Sequence, residues 1–87
     1  MIRKQYRFYG LVQGVGFRYL AVHIASSLGV TGFVKNCYDG SVLMEAEGER
    51  ETLAELIRQL ENGRFIRIER IDSLEIPLKG DRDFRRE

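Results

Sequence analysis

Little in this chain of 87 residues invites a cofactor or a covalent staple. Its one cysteine, Cys37, cannot close an internal disulfide, which points to a reducing compartment. Its one histidine, His23, rules out a two-histidine metal site, and Cys37 has no CxxC partner for a zinc cluster. No GxxxxGK[ST] or GxGxxG string occurs, which removes the usual nucleotide loops, and Ser26 and Ser27 lack a G-x-S-x-G context. Lys and Arg number 14 against 13 Asp and Glu, a net charge of +1. That balance lacks the basic excess of a protein held on nucleic acid by phosphate charge. No apolar run is long enough to span a membrane. The opening Met1-Ile2-Arg3-Lys4-Gln5-Tyr6 has no apolar stretch behind its charges to make a secretory signal. The expectation is a cytoplasmic protein with no metal, no cofactor, no nucleic acid and no membrane among its partners.

What is present is a folding composition. Hydrophobic residues make up 44% of the chain and there is one proline, so a packed core outweighs disorder. The length predicts one domain over 1–87, small enough to work as a monomer. Such a chain buries roughly 60–65% of its unfolded surface, so its stability should be modest.

The hydrophobic periods set the element order. Gln5 to Val12 alternates, with Tyr6, Phe8 and Val12 on one face and Arg7, Tyr9 and Leu11 on the other. Apolar groups on both faces predict a central strand. After two glycines the period becomes helical: Phe17, Leu20, Ala21, Ile24 and Leu28 form one stripe, with Gly29 at the C-terminal cap and His23 outside the stripe. Val30 to Cys37 reads as a strand, Tyr38-Asp39-Gly40 as a hairpin turn, and Ser41 to Glu47 as its partner strand. Arg50 to Leu60 is a second amphipathic helix stopped by Asn62-Gly63. Phe65 to Ile76 is a strand whose apolar phase slips, which predicts a bulge near Arg70. The charged stretch Lys79 to Glu87, with Phe84 its one large apolar residue, is a short edge strand or a frayed end. The order β-α-β-β-α-β predicts a ferredoxin-like α+β sandwich, an antiparallel sheet with two helices on one face.

One segment stands out chemically. In Gly10-Leu11-Val12-Gln13-Gly14-Val15-Gly16-Phe17-Arg18, a glycine-bearing turn joins a central strand to a helix N-terminus. Glycines let successive N–H groups converge, and the helix dipole adds partial positive charge. Arg18 then sets a planar donor fork on the first turn. An anion the size of phosphate or sulfate suits such a corner. In the plainer reading, Gly14 and Gly16 merely serve a tight turn and Arg18 is a surface residue. Against it, a cation in the first turn opposes the dipole unless an anion is near. Asn36, closing Gly32-Phe33-Val34-Lys35-Asn36, either initiates the hairpin or offers its amide to hold a water. Glu45, Glu47, Glu49 and Glu51 read as solvated positions, Cys37 as a small packing residue, and Arg64, Arg67 and Arg70 as part of a mixed-charge surface.

The strings G-L-V-Q-G-V-G-F-R, then G-F-V-K-N and Y-D-G-S-V, closely resemble the two signature segments of the acylphosphatases, in the family's order and spacing. Phe33 and Lys35 stand where that family usually has Trp and Arg. The resemblance implies hydrolysis of the carboxyl-phosphate anhydride of acyl phosphates. Arg18 and the loop amides of Gly14, Val15, Gly16 and Phe17 would then bind the phosphoryl group, and Asn36 would orient the attacking water. Similar domains open larger carbamoyl-transfer proteins of hydrogenase maturation; here a free-standing enzyme is expected. The rival from another class is an RNA-binding module of the same fold, for which Thr31-Gly32-Phe33-Val34 has a faint likeness to an aromatic strand signature. That signature belongs on the third strand, whereas here it lies on the second.

Overall fold

The computed structural model covers residues 1–87. Its elements run β1 (Ile2–Leu11), α1 (Phe17–Leu28), β2 (Thr31–Asn36), β3 (Val42–Gly48), α2 (Arg50–Glu61), β4 (Arg67–Ile76) and β5 (Phe84–Arg86). The first six follow the order read from the sequence. The strands form one sheet in the order β4-β1-β3-β2-β5, so β1 is interior, as its two apolar faces require. Its even-numbered side chains Tyr6 and Phe8 are buried with Met44 and Val42 of β3 and with Phe17, Ala21, Ile24, Leu53, Leu56 and Leu60 of the helices. Fully burying side chains of this size contributes roughly 1.5–3 kcal/mol each, and this layer is the core.

The helix ends follow local chemistry. Gly29 takes φ 74°, and the next amide, of Val30, reaches back to the Ala25 carbonyl at 2.9 Å, closing α1 in a Schellman-type turn. The β2–β3 hairpin closes with the Cys37 amide on the Ser41 carbonyl at 2.8 Å, and Gly40 alone of Tyr38-Asp39-Gly40 has positive φ. Asp39 accepts from the Ser41 amide at 3.0 Å and from its hydroxyl, bonds that hold the Asp39 carboxyl below its ordinary range. His23 is exposed and Cys37 half-buried.

The expected irregularity in β4 is a register shift. Tyr9 faces Arg70 but Gly10 faces Ile68, leaving Glu69 as the extra residue. Gly10 fits there because its φ is 128° and a Cβ would lie 2.3 Å from the Arg67 carbonyl oxygen. Beyond the shift, Leu74 lies exposed on the open face.

Two expectations change. The sheet is mixed rather than wholly antiparallel, because the tail forms β5 and pairs in parallel with β2 through Gly32–Phe84 and Val34–Arg86. Phe84, buried at this edge, supplies the apolar anchor that keeps the tail from fraying. Glu45 and Glu47 are not simply solvated. Arg3, 1% exposed, donates to Glu45 at 2.9 Å, Glu47 at 3.1 Å and Asp81 at 3.1 Å. Glu47 also accepts from the Lys79 amide at 2.9 Å. The segment between β4 and β5 is thereby fastened over the face opposite the helices, and β5 is delivered to the far edge.

Candidate active site

The turn from β1 to α1 leaves donors without acceptors. Val12 is buried and fixes the start of the turn; Gly14 and Gly16 then adopt φ 74° and 80°. A Cβ at either would meet nothing within 4 Å, so the left-handed backbone itself calls for glycine there. Gly16 is the N-cap of α1 and brings no capping side chain, and the first turn holds no acid. The amides of Gly14, Val15 and Gly16 make no main-chain bond. Those of Phe17, Arg18 and Tyr19 precede the first intrahelical bond, from the Leu20 amide to the Gly16 carbonyl at 3.0 Å. Free donors at the positive end of a helix dipole favour an anion.

Around these donors lies a cavity of about 120 Å³, lined by Gly14, Gly16, Phe17, Arg18, Tyr19 and Asn36 together with Val12 and Arg86. No carboxylate, imidazole or thiol lines it, so the chain brings no strong base or covalent nucleophile to this place. Arg18 is half-buried, and its Nη1 donates to the main-chain oxygen of Glu87 at 3.1 Å. That bond occupies one nitrogen and leaves the rest of the donor fork free. Asn36 closes β2 opposite Val42 and is exposed on the other wall. Gln13 fixes the distance between the walls: its side-chain amide donates to the Cys37 and Ser41 carbonyls, both at 2.8 Å, tying the turn to the hairpin.

The structure thus gathers Arg18, Asn36, Gly14, Gly16 and Phe17 around one cavity. Val15 is not part of its lining; its side chain leans on the core. Sequence reasoning passed over Arg86 and Tyr19. Arg86 hides in a charged tail whose pairing partner is far away in sequence, and only the parallel ladder to β2 brings it here. In a hollow of about 200 Å³ on the open face of the sheet, lined by Gln5, Arg7, Tyr9, Leu43 and Asp72 among others, Arg7, Tyr9 and Asp72 are already engaged within the chain. Arg7 donates to the Ser41 hydroxyl at 3.0 Å, and Arg70 covers the Tyr9 ring at 4.1 Å. This is sheet packing and not a free stacking platform.

Fold and site together define a ferredoxin-like α+β sandwich with a donor-lined corner at the head of its first helix. The acylphosphatase family model matches residues 4–86. The chain is 44% identical over 81 residues to the acylphosphatase of Caldanaerobacter subterraneus, an alignment covering 91% of this chain and 90% of that one. The crystal structure of the Bacillus subtilis acylphosphatase superposes with a TM-score of 0.94 at 34% identity, covering 100% of this chain and 99% of the other. HypF from T. kodakarensis contains the same fold, with a TM-score of 0.86 at 34% identity, but this chain spans only 12% of it. The chain belongs to the acylphosphatase family, a family of hydrolases.

Proposed function

We propose that residues 1–87 form one acylphosphatase domain whose reaction takes place in the cavity between Arg18 and Asn36. The observation that carries this reading is the convergence of unbonded amides, a half-buried guanidinium and a neutral side-chain amide on one small space. The phosphoryl group of an acyl phosphate sits against the amides of Gly14 to Phe17 and accepts the free prongs of Arg18. Val15 contributes through its main-chain N–H alone. Asn36 holds a water on the opposite side, in line with the bond to the leaving carboxylate.

Attack forms a bond from the water oxygen to phosphorus and breaks the bond from phosphorus to the acyl oxygen, whose electron pair leaves with the carboxylate. The water proton passes to a phosphoryl oxygen, giving carboxylate and inorganic phosphate. Phosphoryl transfer of this kind needs positioning and charge stabilisation above all. A carboxylate is a good leaving group, so the missing general acid costs little. Inorganic phosphate and sulfate are the natural product and mimic at the same corner. No metal, cofactor, nucleic acid or membrane enters this scheme. No helix is long and apolar enough to cross a membrane. The free thiol of Cys37 suits a reducing cytoplasm, and the size of the domain suits a monomer.

Phosphate release from benzoyl phosphate tests the reading. The native chain should turn over, with or without chelator, and Arg18→Ala should lose about a hundredfold or more. Equal rates for the two chains would overturn the assignment.

A further inference from the structure

The last strand brings a second guanidinium to the cavity. Arg86 pairs with Val34 in the parallel ladder, and the Glu87 amide bonds to the Val34 carbonyl at 2.8 Å, so the backbone carrying Arg86 is fixed. Alternation puts Arg86 on the same face as buried Phe84, and there it lines the cavity with Arg18 and Asn36. The neighbouring Arg85 points the other way and is engaged by Asp83 and Glu87, each at 3.4 Å. Arg86 forms no ion pair and no side-chain hydrogen bond within the chain. It is exposed, whereas Arg18 is half-buried, so the cavity has an inner cation and an outer one.

The inner cation and the loop amides already meet the phosphoryl oxygens. A cation at the rim acts on whatever extends past the phosphoryl group, which is the acyl portion. We propose that Arg86 selects acyl phosphates whose acyl portion carries a second anionic group, such as a carboxylate or a remote phosphate. This inference deepens the function proposed above and rests on it. The chemistry is that of a charge opposite a rim charge: it changes substrate capture and is screened by salt.

The test compares kcat/KM for benzoyl phosphate and para-carboxybenzoyl phosphate, which differ in one remote charge. The native chain should favour the carboxylated substrate at low ionic strength and lose that preference at high ionic strength. Arg86→Gln should lower the ratio of the two kcat/KM values by about three- to tenfold, chiefly through KM, and Arg86→Lys should restore part of it. Any loss common to both substrates, from a loosened strand or a disturbed phosphoryl pocket, cancels in the ratio. A native chain active on both substrates whose ratio is unmoved by Arg86→Gln would overturn this inference alone. A native chain inactive on both would overturn the hydrolase reading and this inference with it.

Discussion

Arg18 donates to the main-chain oxygen of Glu87 at 3.1 Å, across 69 positions of sequence. The first helix is therefore tied to the residue that follows β5, and the aim of the guanidinium depends on a strand only three residues long. That strand is held by Phe84, which is 6% exposed.

Phe84→Ala should destabilise the fold by about 3 kcal/mol, the usual scale for emptying a buried aromatic position. It should also lower kcat under conditions where the protein remains folded, since Arg18 loses its support. Urea unfolding and hydrolysis rates on the same sample check both. Full activity in a folded Phe84→Ala would separate β5 from the site.

Arg18→Lys keeps the charge but loses the two-pronged fork, and should still lose most of the activity. Asn36→Ala should lower kcat more than it raises the inhibition constant for inorganic phosphate, because in the proposed scheme its amide serves the water and not the anion. Steady-state kinetics with phosphate as inhibitor distinguish the two defects. Near-normal hydrolysis by either variant would remove that residue from the mechanism.

Gln13 touches no reacting group, yet it joins the two walls. Gln13→Ala should cost about 1–3 kcal/mol, since the Cys37 and Ser41 carbonyls lose a shared donor. It should also reduce kcat by letting Asn36 drift from the anion corner. Gln13→Glu should be worse in both respects, as it sets a carboxylate against two carbonyl oxygens. An unchanged kcat in a measurably destabilised Gln13→Ala would assign Gln13 to the fold alone.

Glu47 and Tyr6 contribute to the pH limits of stability. The Lys79 amide and the Arg3 guanidinium hold the Glu47 carboxyl below its usual value near 4.5, against the opposing effect of burial. A depressed folded value means that this contribution is complete above about pH 4.5 and disappears as the pH falls through the folded value. Burial pushes the Tyr6 hydroxyl up to about 12 from 10.0, so its stabilising effect is intact below pH 10 and is lost as the pH rises towards 12. Chemical denaturation across pH should show both flanks. Glu47→Gln should flatten the acid one, and Tyr6→Phe the alkaline one. An acid slope unchanged by Glu47→Gln would detach the Arg3 network from acid unfolding.

Where the sequence spoke through local chemistry, it was legible. The stripe from Phe17 to Leu28, the Gly29 cap and the slipped phase around Arg70 each reflect neighbours a few residues apart, and each element formed where the pattern put it. The placement of Arg18 at a helix start and of Asn36 at a strand end was readable because glycines and a change of period mark both within short strings. Arg3 and Arg86 were not. Arg3 is buried only because Glu45, Glu47 and Asp81 arrive from distant segments to neutralise it, and no local period encodes that meeting. Arg86 gains its place through a parallel pairing with Val34, and a three-residue strand in a charged tail carries too little apolar pattern to reveal it. Glu47 misled for the same reason: an acid in an alternating strand reads as solvent-facing until a covering segment supplies its donors.

Amide resonances measured during titration with inorganic phosphate reach the central claim most directly, because they report on the corner itself. Binding should move the signals of Gly14, Gly16, Phe17 and Arg18 together along one saturating curve, and Arg18→Ala should weaken that curve sharply. Phosphate that inhibits the enzyme while leaving those amides unmoved would contradict the account.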